Sequence, residues 1–207
     1  MAFDMGWDFR LTPAACTDDI HWGVPVINEA YPHTYTNGDG QSVNAGWDSP
    51  VTGGLDDANN NDPRIVGVNY MSPADPLRQF HVDLSSGSAP GAGTYLVDAA
   101  WGQVTNPRTY TTMAVRDNTT AVVGPFSGTT AAGGHFFDAT GTDITASTTW
   151  TGTRVSKTFA STNAYIEMQS ATDYPCVCHF RLTLQAGGAA PVPPMIALAP
   201  PTPAGVF

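Results

Sequence analysis

Histidine and serine are the residues of this chain with most chemistry to offer, and their spacing argues against catalysis. The five histidines, His21, His33, His81, His135 and His179, fall in separate segments. No serine stands in a Gly-x-Ser-x-Gly elbow, the strained turn that exposes a nucleophile above a hydrolase sheet. Alternation places His81 and His179 on outward strand faces, where a solvated imidazole is a simpler reading than a general base. No catalytic residue is assigned. Of the cysteines Cys16, Cys176 and Cys178, the last two share a strand face with Phe180, Leu182 and Leu184. A disulfide between alternate strand residues would be strained, so buried thiols are expected. No second Cys/His cluster stands at zinc-finger spacing.

Calcium has one candidate. In "DDANNND" (56–62), Asp57, Asn59 and Asn61 are spaced like the opening of a calcium loop. Asp62 stands where the sharp turn needs glycine, however, and no glutamate closes the loop. An Asx-rich turn explains the stretch better, and neither a metal nor a cofactor is expected. Carbohydrate is the remaining ligand class. Aromatic faces stack on sugar rings while amides and carboxylates bond the hydroxyls, and Trp22, Tyr31, Tyr35 and Trp47 lie near Asn28, Asn37, Asp39 and Asn44. The same mixture anchors long loops onto a core, so glycan binding and core packing both stand, with core packing ahead.

The elements that must position these residues are strands. Charged residues are 13% of the chain, with 21 Gly and 17 Pro, a composition that suits strands and turns rather than long helices. Phe3, Met5, Trp7 and Phe9 share one face of a first strand. Residues 11–62 are rich in turn signals and read as long loops. From residue 64 the alternation is regular: "RQFHVDL" turns Phe80, Val82 and Leu84 inward and Gln79, His81 and Asp83 outward. "TYLVDAAW" sets Tyr95, Val97, Ala99 and Trp101 on one face. "DNT" (117–119) marks a tight hairpin. Nine or ten strands predict an all-β fold, an antiparallel jelly-roll β-sandwich with long N-terminal loops.

Alternation stops after Gln185. The domain reading is therefore a sandwich over 1–185 and, over 186–207, a hinge followed by an extended Pro-rich C-terminal arm. That last stretch holds 22 residues with six prolines and no charge, and favours polyproline-like chain. Its Pro191, Pro193, Pro194, Met195, Ile196, Leu198, Pro200, Pro201, Val206 and Phe207 form the expected partner-binding surface. A net charge of −10 with Lys157 as the lone lysine argues against nucleic acid and anionic membranes. The first ten residues lack the basic and apolar regions of a secretory signal, so synthesis in a cytoplasm is expected.

Taken in order, "FDMGWDFR" (3–10), "AGWD" (45–48), "DPRIVGVNY" (62–70), "FHVDL" (80–84), "GTYLVDAAWG" (93–102), "VRDN" (115–118), "FFDATGT" (136–142) and "YIEMQ…CHFRLTL" resemble a galactose-binding-like β-sandwich. Such sandwiches occur at the N-terminus of rhamnogalacturonan-acetylesterase-type enzymes and, closer still, in small proteins of tailed bacteriophages. The resemblance spans residues 3–185 and implies a jelly-roll sandwich without the esterase domain. It implies a non-enzymatic virion protein, with capsid decoration or cement as the leading role. The expected partners are the major capsid protein or another virion protein, and sister copies with a trimer favoured. The alternative is a glycan-binding module acting on a surface glycan, either for host adhesion on a tail or head fibre or as a secreted carbohydrate-binding module.

Overall fold

Phe3, Met5, Trp7 and Phe9 alternate with Asp4, Gly6, Asp8 and Arg10, which gives an extended chain one apolar and one polar face. In the computed structural model all four apolar side chains enter the core. The structure describes residues 2–10, 22–23, 29–56, 64–65, 67–73, 75–146 and 149–189. Fifteen strands form among them. The first eight are β1 (Asp4–Asp8), β2 (Trp22–Gly23), β3 (His33–Thr36), β4 (Ser42–Trp47), β5 (Gly53–Asp56), β6 (Gly67–Tyr70), β7 (Arg78–Asp83) and β8 (Gly93–Gln103). Then come β9 (Thr109–Asp117), β10 (Thr120–Thr129), β11 (His135–Phe137), β12 (Asp143–Thr145), β13 (Val155–Phe159), β14 (Asn163–Gln169) and β15 (Cys176–Ala189).

Sheet B runs β10–β9–β14–β7–β4–β3, and the other nine strands make sheet A. Strand β8 is the spine of sheet A. It pairs with β15 along one edge, and with β13 and then β11 along the other. The far edge of β15 takes β1 and β6. The chain passes repeatedly from one sheet to the other and pairs antiparallel, apart from the short parallel contacts β1–β2 and Ala30–Trp47. This is the expected all-β antiparallel sandwich.

Aromatic rings close the space between the sheets. Phe80 of β7 lies 5.6 Å from Trp7, 5.0 Å from Phe9, 5.4 Å from Trp47 and 6.2 Å from Tyr35, centroid to centroid. Trp7 also stacks on Phe180 of β15 at 5.7 Å. Edge-to-face pairs of this kind add about 0.5–1.5 kcal/mol each beyond the burial of their area. A second, smaller cluster of Ile65, Val68, Ala100, Phe136, Trp150, Cys176 and Cys178 packs apart from this core.

Three expectations change. Residues 33–56 are not irregular loop, because β3, β4 and β5 run through them. In "SVNAGW" the inward Val43, Ala45 and Trp47 alternate correctly, but asparagine and glycine on the other parity imitate a turn. Strand β15 runs four residues past Gln185 to Ala189, with a register shift between Leu184 and Ala189. The third change is a shift between Val177 and His179, a bulge that separates Cys176 and Cys178 from the face of Phe180 and Leu182. The two cysteines are buried free thiols, and burial pushes Cys176 up to about 12. The hairpin at "DNT" forms with Asn118 at φ 53°. The calcium candidate at Asp57, Asn59 and Asn61 lies outside the described residues, as does Cys16.

Phe80→Ala removes the ring shared by both sheets. It should lower the unfolding free energy by about 3–5 kcal/mol, read as a lower urea midpoint at an unchanged m value.

Candidate functional site

The four aromatics proposed for glycan stacking separate once the strands are in place. Trp47 points inward from β4, is 1% exposed and donates its Nε1 hydrogen to Asn69 Oδ1 at 3.1 Å. Tyr35, on the inward parity of β3, donates its hydroxyl to Glu29 Oε2, and burial pushes its pKa up. Both are therefore core residues, because they share parity with Val43 and Ala45, and neither can stack on a sugar. Tyr31 lies on the outer face of sheet B. Trp22 stands opposite Gly6 in β2, and its side chain lies outside the described residues. So do the arm residues 191–207.

The outer face of sheet A carries a buried charged row, which includes one histidine, His179, that the sequence places in solvent. His179, expected outside, is 0% exposed, and Asp98 beside it is 2% exposed. His179 Nε2 approaches Asp98 Oδ2 to 3.3 Å. Trp150 Nε1 donates to Asp98 Oδ1 at 3.0 Å, and Arg154 Nε reaches Oδ2 at 3.3 Å. Burial pushes the Asp98 carboxyl up, but the His179 ring, the Trp150 hydrogen bond and the Arg154 charge outweigh it and hold the pKa at about 2. Arg181 grips Asp4 (Nε to Oδ1, 2.7 Å) and Arg10 grips Asp8 (Nε to Oδ2, 2.7 Å). A buried Asp–His contact is half of a proton relay, which also needs a nucleophile facing a cleft. Neither groove described below is lined by Asp98 or His179. The row ties β8, β15, β1 and the 150–154 segment together.

The outer face of sheet B is built differently. Register aligns Gly46, His81, Tyr165 and Arg116 across four strands. Tyr31 lies against His81 at 4.2 Å, and His81 stacks on Tyr165 at 4.5 Å and 18°. Gly46 makes room for this. A Cβ there would meet the Tyr31 amide nitrogen at 2.4 Å, and its φ of 155° suits glycine. His81 Nε2 sits 3.0 Å from Asn163 Oδ1. Burial lowers the His81 pKa against the opposing pull of Asn163 and Asp83, which favours the neutral ring in the stack.

Beside this stack Glu167 points outward from β14, yet its side chain is 0% exposed. Its Oε2 accepts from Arg116 Nε at 2.7 Å and from Gln79 Nε2 at 2.9 Å, while Arg116 Nη1 donates to the Thr119 carbonyl at 2.9 Å. A groove of about 390 Å³ opens over these residues, bordered by Leu77, Gln79, Arg116, Asn118, Thr119 and Tyr165. Another, of about 310 Å³, lies among Leu55, Tyr70, Arg108 and Tyr174. Among the described residues no three His, Cys, Asp or Glu side chains gather as a metal site. Sequence reasoning had His81 outward but missed Tyr165, Glu167 and Arg116. Alternation in "NAYIEMQ" gives Tyr165 and Glu167 one face, but which strands lie beside them is not written in that pattern.

In comparisons with protein-family models, curated proteins and solved structures, nothing matches this chain.

Asp98 titrates lower in the fold than its ordinary 3.8. Its contribution is therefore complete above that value and is lost as pH falls toward about 2. Asp98→Asn should remove about 2 kcal/mol of stability at neutral pH. It should also flatten the acid limb of the stability profile between pH 4 and 2, measured by urea unfolding at stepped pH.

Proposed function

We propose that this chain is a non-enzymatic structural protein of a bacteriophage particle, a capsid decoration or cement protein that docks through the segment following β15. The observation that carries this reading is the distribution of apolar surface. Among the described residues the exposed large hydrophobics are Leu55 and Tyr174, at 40% and 45%, which is too little to hold a module on a shell by itself. Met195, Ile196, Leu198, Val206 and Phe207, in contrast, stand in an uncharged stretch studded with prolines. Prolines limit the freedom that an extended segment loses when it orders on a partner.

Two further features support the reading. The ordered resemblance to galactose-binding-like sandwiches of tailed phages supports a virion module. The Asp98–His179 contact, buried away from either groove, serves as a brace between strands. The partner in this reading is the major capsid protein or another virion protein. Sister copies assemble around it, with trimers matching three-fold positions on a shell, and the virion is its location.

Deleting residues 191–207 should leave the thermal midpoint of the sandwich unchanged while abolishing co-sedimentation with particles that lack the protein. Undiminished co-sedimentation of the truncated chain would remove the docking role from this segment. Unfolding of the truncated chain would make the segment part of the core.

A further inference from the structure

We infer that the groove among Leu55, Tyr70, Arg108 and Tyr174 is a self-docking site, and that its occupant is the Pro191–Pro194 stretch of a second copy of this chain. The inference rests on the reading of the segment after β15 as a docking arm, and it names a nearer partner for the first residues of that arm.

The groove, about 310 Å³, opens where β15 begins, since Tyr70 of β6 stands opposite Cys176. It gathers Leu55 and Tyr174, the two exposed large hydrophobics among the described residues. The Tyr70 and Tyr174 rings meet edge to face at 5.9 Å and 78°. Gly53, opposite Tyr70 in β5, leaves room for that ring, because a Cβ there would come within 2.5 Å of the Tyr70 hydroxyl oxygen. The polar wall is tied down too. Arg108 donates from Nε to Gln103 Oε1 at 2.8 Å and from Nη1 to Asp173 Oδ1 at 3.2 Å. Asp173 also accepts the backbone amides of Thr109 and Tyr174, at 2.8 and 2.7 Å. Walls held in this way lose little freedom when a ligand arrives.

Such a groove matches extended proline-rich chain, which in polyproline form lays its rings against aromatic side chains. Prolines offer carbonyl acceptors and no amide hydrogen. The Tyr70 and Tyr174 hydroxyls make no hydrogen bond among the described residues, and they are the donors for those carbonyls. Charge agrees as well. Pro191, Pro193 and Pro194 stand in a stretch with no charged residue, and Arg108 is already paired with Asp173. Covering the groove with this segment therefore buries no uncompensated charge, whereas a charged peptide would find no counter-charge there.

Reach decides which copy supplies the segment. Val177 and Ala189 pair with Trp101 and Gly93, eight residues apart on β8 and so separated by about 26 Å at strand spacing. From Ala189 to Pro194 is five residues, about 16 Å of polyproline chain. Pro191–Pro194 therefore falls short of the groove of its own copy and fills that of another. Met195 to Phe207 remain for the shell.

The test is sedimentation velocity of the full chain, free of particles, over a concentration series. The chain should self-associate. Tyr174→Ala and Leu55→Glu, both at exposed positions of the groove, should each weaken that association about tenfold or more. Pro191→Ser, Pro193→Ser and Pro194→Ser together should do the same from the other side of the contact. Mixing this triple variant with Tyr174→Ala joins an intact groove to an intact segment, and the two chains should associate with each other. A chain that stays monomeric throughout would overturn the inference, and is the result expected if the segment folds back onto its own copy. Association that survives both sets of changes would overturn it as well, as would a mixture that stays monomeric. Self-association without co-sedimentation on particles would uphold the groove contact and overturn the shell role alone. Co-sedimentation without self-association would do the reverse.

Discussion

The contacts that converge on Phe80 set the rest of the molecule. This one ring touches Trp7 of β1, Phe9 just beyond that strand and two aromatics of sheet B, so it fixes both the distance between the sheets and the parity of β7. With Phe80 inward, Gln79, His81 and Asp83 must face out, because side chains alternate along a strand. A slip by one residue would bury three polar groups and expose Phe80, Val82 and Leu84. The polar surface of sheet B is thus a consequence of the core on its other side.

Acidic residues have a second role that the net charge conceals. A charge of −10 suggests a solvated negative surface, yet Asp8, Asp98, Asp117, Asp138 and Glu167 are buried. Asp117 accepts hydrogen bonds from the Ala160 and Ser161 amides. Asp138 accepts from those of Thr140, Thr142 and Thr153. Carboxylates clamping turns and bracing strands replace the helix caps and larger apolar cores that other folds use. Charge-assisted bonds to backbone amides are about twice as strong as neutral ones, which suits a chain so rich in loops.

Legibility in the sequence followed the range of the interactions. Faces within one strand were readable: Phe3 to Phe9, Gln79 to Leu84 and Tyr95 to Trp101 all point as their alternation predicts. The sandwich was readable for the same reason. Short strands in turn-rich company were not, since the outward Asn44 and Gly46 of β4 look like loop residues until β3 and β7 flank them. The bulge at Cys178 was not readable either, and it sets the two cysteines apart from the core face that Phe180 shares. Burial of His179 depends on Asp98 and Trp150, far away in the chain. The candidate groove was the least legible of all. Tyr165, His81 and Tyr31 belong to three separate segments, and only the pairing register brings them into one row.

Strand β15 gives the fold a temporal order. It pairs with β1, Asp4 opposite Thr183, and with β8 in the middle of sheet A. During synthesis β1 has no neighbour on that side until nearly all the described chain has been made, and β8 waits with an open edge. Unpaired edges of this kind invite association with other chains, and such non-local closure is intrinsically slow. Sheet A therefore closes only once β15 has been made, and until then the facing edges of β1 and β8 stay open.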